Sequence, residues 1–162
     1  MALNYDYYGK QNGDTAHDRL AEAGEYFSHR LYATAWESAN DAEKEKALIA
    51  ARYLIDSLNF KGDKTDVAQA LEFPRGGDME APEAIRIAGY EIAYALLDGK
   101  DPELELENLA VQAMGYGAVK TSYERTGLPI EHIINMVPSS AAWRLLKPFL
   151  RDSDAIKLSR LS

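Results

Sequence analysis

The feature that most limits what this chain can build is a run of helical period that breaks into a long excursion marked by glycine and proline. Residues 43–58 (EKEKALIAARYLIDSL) bring Ala47, Leu48, Ala51, Leu54, Ile55 and Leu58 to one face at helical spacing, the pattern of an amphipathic helix. Ile49 and Tyr53 widen that face beyond what one packing partner needs, so a central core helix is expected. From 59 to 81 the period is lost around Gly62, Pro74, Gly76 and Gly77, and a loop of that length inside a domain is usually functional or disordered. Val67, Ala70, Leu71 and Phe73 argue for order. Pro74 keeps Phe73 out of helical angles, so the residues QAL are expected to form one turn that tucks Phe73 onto the domain.

Three further helices are expected around that one. A first begins after Asp14 or Thr15 and runs through Leu20, Ala23, Phe27 and Leu31. Trp36 follows in an irregular link, and Asn40 or Asp41 caps the helix of 43–58, with Glu43 and Glu45 in its favourable first turn. Pro82 opens another helix, whose Ile85, Ala88, Ile92, Ala95 and Leu96 form a clean stripe before Asp98 and Gly99 stop it. Gly89 within it predicts the close approach of another backbone. After an acidic link (DPELELENLA), MGYGAVKTSYER alternates as a strand or hairpin would. Ser139 or Ser140 then caps a last helix with Trp143, Leu145 and Leu146, ended by Pro148. The fold class is therefore mainly α, a small bundle of about four helices with a long loop and a short β ribbon. Residues 1–14 form a tyrosine-bearing arm, either frayed or docked, 15–150 the domain, and 151–162 a tail.

Composition narrows the function classes. The 162 residues suit a single core, and 46% hydrophobic residues exclude wholesale disorder. With 18 basic against 26 acidic residues the net charge is −8, which on bulk grounds disfavours nucleic-acid binding, since that draws on Lys and Arg displacing counterions. The absence of cysteine excludes disulfides, thiolate catalysis and cysteine–zinc sites. No apolar run approaches the roughly 18 residues of a membrane span, and no secretory leader is evident, so a soluble protein without a membrane partner is expected.

Catalytic constellations are not evident. His17, His29 and His132 lie on separate segments without metal-ligand spacing; His17 and His29 are expected on a helix surface and His132 at the edge of the core. Acidic pairs such as Glu22 with Glu25 read as solvated helix faces, and Ser139 and Ser140 as caps. Gly76-Gly77 and Gly115-Tyr116-Gly117 lack the strand-to-helix setting of a phosphate loop. The local basic grouping beside an aromatic is Phe60, Lys61 and Lys64. An enzyme is not expected, and neither is a cofactor.

The ordered phrases EAGEYFSHR, Trp36, EKEKALIAARYLIDSLNFKG, QALEFPRGG and APEAIRIAGYEIA, with GAVKTSYER and LLKPFL beyond them, resemble a bacteriophage protein family. Its members are labelled DnaT-like single-stranded-DNA-binding proteins, and it is similar to the helical head-to-tail connectors, or adaptors, of tailed phages. Phe60 and Phe73 stand where tryptophan is frequent in that pattern. Of the two labels the acidic charge favours the connector, whose channel must let DNA slide. The resemblance then implies a virion protein of the neck, in the host cytoplasm during assembly, forming a ring of twelve copies. Its partners would be the portal protein, a downstream tail or nozzle protein, and genomic double-stranded DNA passing without specific binding. It implies that Arg151, Ile156, Lys157, Leu158, Arg160 and Leu161 of the tail meet the portal, and that Lys61, Lys64, Phe73, Arg75, Tyr116, Tyr123 and Arg125 face a neighbouring subunit or tail component. The alternative is a single-stranded-DNA-binding protein of phage replication.

Overall fold

The computed structural model describes residues 4–9, 19–115 and 130–151. Seven α-helices lie in them: α1 (Ala21–Ser28), α2 (Thr34–Ser38), α3 (Asp41–Asp56), α4 (Glu83–Leu97), α5 (Pro102–Gly115), α6 (Glu131–Ile134) and α7 (Ser140–Leu146), followed by a 3-10 turn at Lys147–Phe149. Among the described residues there is no strand; the β-type pairings there are two isolated antiparallel bridges, Phe60 with Leu150 and Lys64 with Arg75. Of the ribbon expected at 114–125, Met114 and Gly115 instead end α5, and 116–125 lie outside the described residues. No described helix is long and apolar enough to cross a membrane.

The central helix is α4 rather than the helix of 43–58. Ile85, Ala88, Tyr90, Glu91, Ile92, Ala93 and Ala95 of α4 are all buried, because it packs against α3 on one side and α7 on another, with α2 also in contact. The wide face of α3 is only partly covered: Ala47, Leu48, Ala51 and Ile55 are buried, whereas Tyr53 is exposed. Asn40 caps α3 through a capping box, its Oδ1 accepting from Glu43 N at 2.9 Å while Glu43 Oε2 accepts from Asn40 N at 2.9 Å, an arrangement worth about 1 kcal/mol. Ser139 caps α7 with its side chain alone, accepting from Ala142 N at 3.2 Å.

Four local expectations need correction. α1 ends at Ser28, so Leu31 leaves the apolar stripe and is 78% exposed; the chain reverses there through Tyr32 at φ +59°. Trp36 sits on the short helix α2, where it stacks on Phe27 at 4.3 Å and fills the core. The acidic segment 102–111 is the body of α5, with Asp101 accepting from Glu103 N at 3.0 Å to cap it. The turn of the excursion forms at 66–69 rather than at QAL, with Gln69 N bonded to Asp66 O at 3.1 Å.

The described part of the N-terminal arm, residues 4–9, is docked. Tyr7 and Tyr8 are buried, and Tyr8 lies across Gly89, where an added Cβ would stand 3.8 Å from Tyr8 Cβ and 4.0 Å from its carbonyl. These are ordinary van der Waals distances, so the close backbone approach expected at Gly89 is not found and the arm packs there without requiring glycine.

Candidate nucleic-acid interface

The excursion and the C-terminal turn are joined into one corner by their backbones. Lys61 N donates to Phe149 O at 2.8 Å and Arg151 N to Asn59 O at 3.0 Å, which places the runs 59–64 and 147–151 side by side. Beneath them Phe60 and Phe73 are buried, their rings 4.7 Å apart, with Phe149 edge-on to Phe73 at 5.9 Å and Tyr8 at 6.0 Å. Such edge-to-face pairs are worth about 0.5–1.5 kcal/mol each beyond the area they bury. The peptide between Phe73 and Pro74 is cis.

Arg75 holds the excursion in shape. Its Nε donates to Lys61 O at 3.0 Å, its Nη2 to Gly62 O, and its Nη1 to Glu72 at 2.7 Å. Lys64 also pairs with Glu72, at 3.3 Å, and Lys147 with Glu131, at 2.8 Å. Glu131 is pulled below the usual carboxylate range by hydrogen bonds from Lys147 and from Trp143 Nε1.

Two cations of the corner are engaged differently. Lys61 Nζ reaches Pro148 O at 3.5 Å and Arg151 Nε donates to Phe60 O at 2.9 Å. Both side chains are exposed, and among the described residues neither has a carboxylate at ion-pair distance. Around the paired runs 59–64 and 147–151, Lys61, Lys64, Arg75, Lys147 and Arg151 stand against the carboxylates of Asp63, Glu72, Asp78 and Glu131, so the corner keeps a small cationic excess although the whole chain is acidic.

A second network ties the arm to this corner. Tyr8 Oη donates to Asp56 and accepts from Phe73 N at 3.2 Å, while the buried Arg52 donates Nε to Asp6 O at 2.9 Å and lies 3.8 Å from Asp56. Burial first, and the neighbouring Asp56 second, push the Tyr8 phenol up; burial likewise raises Asp56. Sequence reasoning missed this network. Its signal was there, since Arg52 falls at helical spacing from Leu48 and Ile55, inside the buried stripe, with Asp56 four residues on.

Of the residues singled out from sequence, Lys61, Lys64, Arg75 and Arg151 come together at this corner. Phe73 does not face outward: at 3% exposure it is core, because the docked arm and Phe60 cover it. Tyr116, Tyr123, Arg125, Ile156, Lys157, Leu158, Arg160 and Leu161 lie outside the described residues. His132 is at the core edge as expected, Nδ1 2.8 Å from Val137 O, and His29 is on the surface.

Residues 9–161 match the model of a family described as "Putative DnaT-like ssDNA binding protein". No curated protein and no solved structure matched the chain. The family match overturns the head-to-tail connector reading, and with it the portal, the ring of copies, the tail protein and the passing duplex as partners. That reading failed at its charge argument: −8 is a sum over the whole surface, whereas a strand samples the field within about a Debye length, roughly 8–10 Å. A cationic corner can therefore sit on an acidic body.

Proposed function

We propose that this chain, which belongs to the DnaT-like family of single-stranded-DNA-binding proteins, is itself a single-strand binder and not an enzyme, and that the strand's phosphates meet the corner built by 59–64 and 147–151. The observation that carries the placement is the pair Lys61 and Arg151, exposed cations on two runs joined by backbone hydrogen bonds, each with a carbonyl rather than a carboxylate as its side-chain partner. A cation already paired gains little from a phosphate, because the carboxylate it leaves must be resolvated; an exposed cation held only by a carbonyl releases its counterions to solution when the phosphate arrives.

Lys64, Arg75 and Lys147 play a supporting part in this reading. Their ion pairs with Glu72 and Glu131 shape the two runs, and the net cationic field is left to Lys61 and Arg151. The acidic remainder of the surface then acts as a selectivity device: it repels duplex approaching broadly and leaves a narrow strip that a flexible single strand can follow.

Titrating a ten-residue thymidine oligonucleotide into isotopically labelled protein and following backbone amide shifts tests the placement. Shifts concentrated at 60–62, 75–76 and 149–151 are expected. Shifts confined to α1, α2 and α5, or none at all at millimolar strand, would refute it.

A further inference from the structure

The same corner encloses a hollow of about 280 Å³. Phe73, Phe149, Pro82 and Pro148 line it, and its charged lining residues are Lys61, Arg75 and Asp78. Phe149 is half-buried, unlike the sealed Phe60 and Phe73, and it lines the hollow. At Gly62 and Gly76 no heavy atom stands within 4 Å of where a Cβ would be, and their φ values of +71° and +64° suit glycine. Backbone from another molecule could therefore pass close to both.

The chemistry of this hollow is divided. Its apolar lining is aromatic and proline, its charged lining is two cations against the one carboxylate of Asp78, and Arg75 is committed to Gly62 O, Lys61 O and Glu72, which leaves Lys61 as the mobile charge. At about 280 Å³ it falls just under the roughly 300 Å³ at which clefts for larger ligands begin. That size suits one small planar ring and its sugar. Aromatic stacking favours any base, since every base has a π-face, and a flanking lysine complements the attached phosphate.

We infer that the hollow takes one unstacked base of the bound strand, its ring against Phe149 and its phosphate on Lys61. The inference rests on the single-strand reading above and deepens it: phosphates give the corner its attraction, and this base gives it a grip that charge alone lacks. A duplex, whose bases stay stacked and paired, cannot make this contact without paying to expose one.

Two ten-residue strands of equal charge separate the terms: oligothymidine and a fully abasic deoxyribose-phosphate oligomer. Wild-type protein should bind oligothymidine at least about tenfold more tightly than the abasic strand. Phe149→Leu, which keeps apolar volume and removes the ring, should lose about five- to tenfold for oligothymidine and leave the abasic strand unchanged, whereas Lys61→Ala should weaken both. Equal wild-type affinity for the two strands, or equal losses with Phe149→Leu, overturns the base site while leaving the phosphate contact standing. Binding of neither strand overturns both. Should Phe149→Leu unfold, photocrosslinking wild-type protein to a strand carrying 5-iodouracil decides the matter: adducts on Phe149 support the site, and adducts found only elsewhere overturn it.

Discussion

Two places in this molecule hold an arginine against a glutamate, and they put the pair to opposite use. At the turn between α1 and α2, Arg30 donates Nε and Nη2 to the buried Glu91 at 2.7 and 3.0 Å, Nη1 to the carbonyl of Tyr32 at 2.8 Å, and lies over the Tyr94 ring at 4.1 Å. Tyr26 Oη completes the carboxylate at 2.6 Å, and burial, then Glu91, lift its phenol to about 12. Every strong group there is satisfied within the fold. At the cationic corner Arg75 and Glu72 are also paired, but their bonds shape a loop that holds Lys61 out to solvent. Guanidinium builds in both places; what differs is whether a free cation is left over for something else.

The sharpest way to break that contrast is at Glu91. Glu91→Leu leaves Arg30 partly buried without its carboxylate and should cost about 3 kcal/mol in chemical denaturation, with single-strand affinity per folded molecule unchanged. Arg75→Ala removes a charge-assisted bond and three carbonyl bonds, so about 2 kcal/mol is expected, this time with weakened strand binding because the loop under Lys61 loses its brace. If Glu91→Leu weakened binding as much as Arg75→Ala, the two regions would not be functionally distinct.

Tyr8→Phe tests whether the arm supports the corner. Losing the hydroxyl leaves the buried Phe73 N–H without its acceptor and should cost about 1–2 kcal/mol, with faster amide exchange at 72–75 as the local signature. The smallest effect is a pH dependence at Asp56. Burial raises its pKa above the ordinary 3.8, so the folded state disfavours the ionised form. Its stability penalty is present in full above the folded pKa and disappears as pH falls toward 3.8. Relative to Asp56→Asn, wild-type protein should therefore gain stability on acidification across that window; a loss would mean that Arg52 and Tyr8 outweigh burial.

Much of the helical frame was legible because caps and periodicity are local. Asn40 with Glu43 announces a capping box three residues apart, Ser139 precedes an apolar run, and Pro82 followed by a clean stripe gives α4 to within a residue. What was hidden depended on who covers whom. α3 has the wider apolar face, yet α4 is the buried helix, because the arm, α2, α3 and α7 all choose it. DPELELENLA reads as a link since its charges obscure the apolar positions, but Asp101 caps it into α5. At the site, Lys61, Lys64, Arg75 and Arg151 were identifiable as residues. Their meeting was not, since residues 59–64 and 147–151 are some ninety positions apart in sequence and are joined only by backbone bonds such as that from Arg151 to Asn59. Net charge misled for the same reason: a sum carries no positions.

The most direct test is the salt dependence of binding to a fluorescent oligothymidine, measured by anisotropy for wild-type protein and for Lys61→Ala/Arg151→Ala. The double substitution removes the Arg151 bond to Phe60 O and should cost about 1 kcal/mol, which leaves the fold intact. Each lost phosphate contact should flatten the slope of log affinity against log salt by about 0.7, giving a combined change near 1.4, with weaker binding at every salt concentration. An unchanged slope and affinity in the double variant, with the fold intact, would contradict the claim that this corner is where the strand is held.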